Sequence, residues 1–156
     1  MVSLIAFTCI YMEPNLNLRL NLLDNYSLST KFPLSIWSRL LWLVAGDELI
    51  FIHSGSEFET QQFSGAGWAL EFNQLFVVGF VERYPDVYNN ALMTTRIRNV
   101  SISLSAKLRT DMNDLAILLR HAQEKEQSEL YLQAYADLIL LNANQAYAKQ
   151  KGRLDL

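Results

Sequence analysis

The sequence predicts an α+β fold: an antiparallel β-meander of about six strands, a short early helix, and a C-terminal helical pair packed on the sheet. Three observations carry this. Residues 15–22 alternate strictly between polar side chains and leucine, the period of a half-buried strand. Residues 48–82 are cut into short apolar runs by Ser-Gly-Ser and Gly-Ala-Gly turns. From residue 110 the apolar residues recur at helical spacing.

Taken in order, Val2 to Tyr11 is an apolar run with no basic segment before it and no small-residue cleavage pattern after it. It is also far short of the roughly 20 residues of a membrane-spanning helix. It reads as a buried strand, and Glu13, Pro14 and Asn15 separate it from Leu16, Leu18, Leu20 and Leu22, which alternate with Asn15, Asn17, Arg19 and Asn21. The two runs are expected to pair as a hairpin.

After Pro33, residues Ile36, Trp37, Leu40, Leu41 and Val44 fall on one helical stripe, with Gly46 as the stop. Trp42 and Leu43 widen that stripe until the expected helix over 35–45 is apolar nearly all round. Such a helix is either deeply buried or covered by another chain. Four strands are then expected: Glu48 to His53, Glu57 to Phe63, Trp68 to Phe72, and Leu75 to Glu82. Tyr84, Pro85 and Asp86 break the pattern, and Ala91 to Leu104 reads as extended, with Arg96 and Arg98 on one face.

Thr110 is the expected cap of the next helix, with Asp111 and Asp114 in its first turn, where the helix dipole favours acids. Met112, Leu115, Ala116, Leu119 and Ala122 form its apolar stripe. Tyr131, Ala134, Tyr135, Leu138, Leu141 and Ala143 form the stripe of a second helix ending near Gln150 and Gly152. The polar run between them is read as a corner recapped at Ser128. A single rod of about 60 Å would leave both stripes without a surface to cover them.

The chain of 156 residues is read as a single domain over 1–156, and its 51% apolar content excludes disorder. One cysteine, Cys9, excludes an internal disulfide and, set in an apolar run, reads as a small buried hydrophobe. With no targeting or spanning segment read, a cytoplasmic location is expected. Net charge is −3, but it is polarised: residues 40–90 carry −6 and residues 91–110 carry +4. Only 19% of residues are charged, against about 25% in ordinary domains, which leaves part of the surface apolar enough to favour a partner.

The chemistry-bearing patterns are mostly missing. His53 and His121 stand 68 positions apart, and the sequence has no C-x-x-C or H-E-x-x-H. The one local cluster is His53 with Glu57 and Glu59. No G-x-S-x-G elbow or phosphate-binding G-x-x-x-x-G-K-S/T occurs. Gly65-Ala66-Gly67 leads into strand-like sequence, where a dinucleotide site needs a helix N-terminus. No catalytic residue, metal ligand or cofactor is therefore assigned. Arg96, Arg98, Lys107 and Arg109 are few for a nucleic-acid footprint, so nucleic acid is not an expected partner.

These exclusions favour a non-enzymatic protein that acts by protein–protein contact, as a subunit of a homo-oligomer or larger assembly, with Trp37, Leu41 and Trp42 at the contact. The alternative is a cognate inhibitor or immunity protein that meets a basic partner through an acidic face of Glu57, Glu59, Glu71, Glu82 and Asp86. A third reading is a small enzyme with its site around His53 and nearby carboxylates.

Overall fold

The computed structural model describes residues 17–23, 37–44, 48–55, 66–95, 97 and 99–154. The fold is α+β. Five strands, β1 (Leu18–Leu22), β2 (Trp37–Leu43), β3 (Glu48–Ile52), β4 (Gly67–Asn73) and β5 (Asn99–Ile102), form one antiparallel sheet in the order β1-β4-β2-β3-β5. The neighbour-to-neighbour order of a meander holds only between β2 and β3. Helix α1 (Gln74–Arg83) follows β4 directly. A 3₁₀ turn (Val87–Asn90) and the single-turn α2 (Ala91–Thr94) lead to β5, and the C-terminal pair is α3 (Ala106–Glu124) and α4 (Glu129–Leu154).

Because successive strand residues point to opposite faces, the register decides which side chains meet the helices. Leu20, Leu70, Leu40, Phe51 and Val100 lie in one row across all five strands, and all belong to the main core beneath the helices. On the opposite face Leu41, Ile52 and Ala69 form a second buried cluster with Leu23. On that same face Arg19, Glu71 and Arg39 stand side by side on β1, β4 and β2.

Within the segment expected as a helix at 35–45, Trp37–Leu43 is strand β2, paired on both sides. Buried on both faces, it has a near-continuous apolar run with no alternation to betray it. Residues 75–82 err in the opposite sense and form α1. The Asn73 side chain accepts the Phe76 backbone N–H at 3.1 Å and caps the helix, and Phe76 and Phe80 bury one face at i, i+4 spacing. The short helix of the fold is therefore α1 and lies after β4.

The stretch expected as extended over 91–104 contains α2 and β5, and Arg96 and Arg98 lie outside the described residues. Helix α3 starts five residues earlier than its expected first turn. Ser105 is its cap, Thr110 lies inside it and bonds back to Ala106, and Asp111 and Asp114 lie beyond the first turn. The corner between α3 and α4 is as expected, closed by the Gln127 N–H on the Ala122 carbonyl and by Glu126 at φ 51°. Helix α4 continues through Gly152. The strands expected over 2–11 and 57–63 lie outside the described residues.

Among the described strands β1 and β5 lie at the sheet's edges, and a glutamine meets each. On edge strand β1 the Gln123 amide accepts the Leu20 N–H and donates to the Leu20 carbonyl, both at 2.9 Å. At the other edge Gln150 accepts the Ser103 N–H at 2.8 Å and donates to the Ser101 carbonyl at 3.0 Å. Each side chain replaces the next strand's backbone and removes a template for edge pairing.

Buried polar groups orient α4. Asn144, fully buried, accepts the Leu92 N–H at 2.8 Å and donates to the Leu140 carbonyl. Asp137, also buried, receives Arg83 through two N–H bonds of 2.9 and 2.8 Å and the Tyr84 hydroxyl at 3.0 Å. Burial of the Arg83 guanidinium works against its charge, but its bonds and attraction to Asp137 prevail and hold its pKa above the ordinary value. Burial, then the bond to Asp137, pushes the Tyr84 hydroxyl up. Among the described residues no helix is long and apolar enough to cross a membrane.

Candidate protein-contact surface

Helix α4 is apolar on more than one side, and its polar anchors decide which side turns inward. Leu132, Ala136, Ile139, Leu140, Ala143 and Tyr147 enter the main core, together with buried Asp137 and Asn144. That leaves Leu130 at 72% exposure, Tyr131 at 56% and Leu138 at 46%, with Ala134 also exposed and Tyr135 and Leu141 half-buried. Residues 131, 134, 138 and 141 follow a 3-4-3 spacing, the seam by which one helix packs on another.

The polar residues of this face are unusual too. From residue 130 to residue 148, about 28 Å of helix, the only residue charged at neutral pH is Asp137, and it is buried against Arg83. The outward side thus presents leucine, tyrosine, alanine and uncharged amides to water. Charge returns only at the ends, with Glu126 and Glu129 before this stretch and Lys149 and Lys151 after it, all exposed.

Two grooves flank the C-terminal half of the face. One of about 620 Å³ lies between α4 and the start of α3, lined by Ser103, Ser105, Leu108, Asn142, Gln145 and Lys149 among others. A smaller one of about 370 Å³ shares Gln145 and Lys149 and is closed by Asp86, Tyr88 and Asn89 of the 3₁₀ turn.

The residues expected at a contact are dispersed. Leu41 and Trp42 are buried at 0% and 4% exposure on opposite faces of strand β2, where a helix either deeply buried or covered by another chain was expected. Trp37 is half-buried, with the Arg19 guanidinium 5.0 Å from its ring centre. Of the acidic face, Glu71 is buried. Its carboxylate lies 3.1 Å from Arg19 and 3.6 Å from Arg39 and accepts Asn21 at 2.8 Å, so its charge is compensated within the fold. Glu82 and Asp86 are exposed, and Asp86 accepts the Tyr88 N–H as the cap of the 3₁₀ turn. Glu57 and Glu59 lie outside the described residues.

The third reading centred on His53. Its ring is half-buried, edge-on to Phe51 at 4.6 Å, and its Nε2 has no hydrogen-bond partner among the described residues. Burial pushes the imidazole below its ordinary value of 6.5. Among the described residues no three His, Cys, Asp or Glu side chains come together as a metal site.

Sequence reasoning missed the outward face of α4, because it assigned Tyr131, Ala134 and Leu138 to the core. The available signal was the 19-residue stretch with a single residue charged at neutral pH. No family model, curated protein or solved structure matches this chain.

Proposed function

We propose that the protein acts by protein–protein contact, as a subunit of a homo-oligomer or larger assembly, and that the outward face of α4 is its contact surface. The observation that carries this reading is the absence of any solvent-facing charge along α4 from Leu130 to Ala148, on a face that exposes Leu130, Tyr131 and Leu138. Interface centres are depleted in charge and enriched in tyrosine, whereas a helix face that stays in water normally alternates acids and bases. Burying such side chains contributes roughly 25 cal/mol per Å² of apolar area.

Photo-crosslinking from position 138 in the producing cell tests the reading. A discrete adduct from position 138 and none from position 75, an exposed leucine on α1, is the expected result. Equal labelling at the two positions, or none at 138, would refute it.

A further inference from the structure

We infer that the partner of the α4 face is a second copy of this chain, the two α4 helices lying antiparallel about a two-fold axis at Leu138, with Tyr131 of each copy entering the other's groove at Asn142 and Gln145. This inference rests on the contact surface proposed above and names its occupant.

The first argument is symmetry. A two-fold interface is self-complementary: where residue i meets residue j, j also meets i. With the axis at Leu138, position 131 falls opposite position 145. Tyr131 stands seven residues, about 10 Å, before the axis and Gln145 the same distance after it. Tyr131 is an exposed aromatic, and Gln145, itself exposed, stands between the two grooves, so one end of the face carries a projection and the other has recesses beside Gln145. The same operation sets Ala134 against Asn142 and Tyr135 against Leu141 and brings the two Leu138 side chains together.

The second argument is charge. A surface that meets itself places like beside like at the axis, which a charged helix resists; residues 130–148 offer nothing to repel. At its ends the pairing becomes directional. Glu126 and Glu129 precede the strip, and Lys125 leaves that end net negative, while Lys149 and Lys151 follow it. Antiparallel packing brings the Lys149 end of one copy to the end of the other that carries Glu126 and Glu129. Parallel packing would stack acid on acid and lysine on lysine.

The area sets the strength. A strip about 28 Å long and one helix wide buries on the order of 500 Å² per copy, below the ~800 Å² of a standard stable complex. The dimer is therefore concentration-dependent, with a Kd on the order of micromolar to tens of micromolar.

Sedimentation velocity from about 1 to 500 µM, a range that brackets this Kd, reads the proposal. The wild type is expected to pass from monomer to dimer and no further. Leu138→Lys, which puts two ammonium groups at the axis, and Tyr131→Ala are expected to weaken the dimer by about tenfold or more. Leu75→Lys on α1 should leave it within about twofold, since surface changes away from the contact have small effects. Lys149→Glu is expected to weaken association, and Glu126→Lys combined with it to restore part of the loss. Circular dichroism of each variant monitors the fold. A wild type that stays monomeric throughout, or a dimer indifferent to both Leu138→Lys and Tyr131→Ala, would overturn the proposal. A monomer that still gives a single foreign adduct from position 138 would overturn self-pairing alone and leave the contact surface standing.

Discussion

The anchor of α4 at Asp137 makes a quantitative prediction. The Asp137 side chain is 4% exposed and is held by two Arg83 N–H groups and the Tyr84 hydroxyl, while the Arg83 side chain is 31% exposed. Removing one member of a buried ion pair costs about 3–5 kcal/mol. Arg83 regains part of its hydration when its partner is lost, so Asp137→Ala is expected to cost about 2–3 kcal/mol. Arg83→Ala strands a buried carboxylate with one hydroxyl donor, and about 3–4 kcal/mol is expected. Arg83→Met with Asp137→Leu leaves no orphaned charge and should cost less than either single change. Urea unfolding reads all three. At a slope of about 2 kcal/mol per M, the Asp137→Ala midpoint should fall by roughly 1–1.5 M. Costs that add within ~0.5 kcal/mol would mean the two groups do not act as a pair, and the reasoning would fail.

Other predictions follow from single contacts. A Cβ at Gly67, where φ is +154°, would stand 2.1 Å from the Trp42 carbonyl oxygen, so Gly67→Ala should be among the most damaging small substitutions, at about 3 kcal/mol or more by thermal unfolding. Gln123→Ala orphans the Leu20 N–H and carbonyl at an edge; a loss of about 1–2 kcal/mol and faster aggregation on heating are expected by calorimetry and light scattering. The imidazole of His53 binds its proton less well folded than unfolded. Its contribution to stability is complete above pH 6.5 and lost as pH falls through the depressed folded value. His53→Phe should flatten that acid-side decline, and an unchanged pH profile would contradict the assignment.

Some elements were plain in the sequence because one of their faces is wet. Strand β1 alternates leucine with Asn and Arg, and Leu18 and Leu20 are indeed inside, although the rhythm breaks at Leu22, where Leu23 enters the second cluster instead. Helix α3 shows its stripe for the same reason: Met112, Ala116, Leu119 and Ala122 are buried and most of its other positions are polar, although Ile117 and Leu118 are exposed. Strand β2 was obscured because both its faces are dry, so a chance helical spacing among many apolar residues carried no information. In α1 the pair Val77-Val78 favoured a strand, but Asn73 capping and the Phe76–Phe80 stripe prevailed. For α4 the helix itself was legible and its inward side was not. Apolar residues occupy several sides, and the side that turns in is chosen by Asp137 and Asn144, whose partners lie about 50 residues away in sequence. The contact surface was misread for the same reason.

Backbone amide spectra of the wild type recorded at low and high concentration test the central claim directly. Signals of residues 130–149 should shift or broaden as concentration rises, while those around Leu75 and Val78 on exposed α1 stay put. Concentration-independent signals along α4 would contradict self-association through this face, and changes centred on α1 or an edge strand would contradict the choice of α4 as the contact surface.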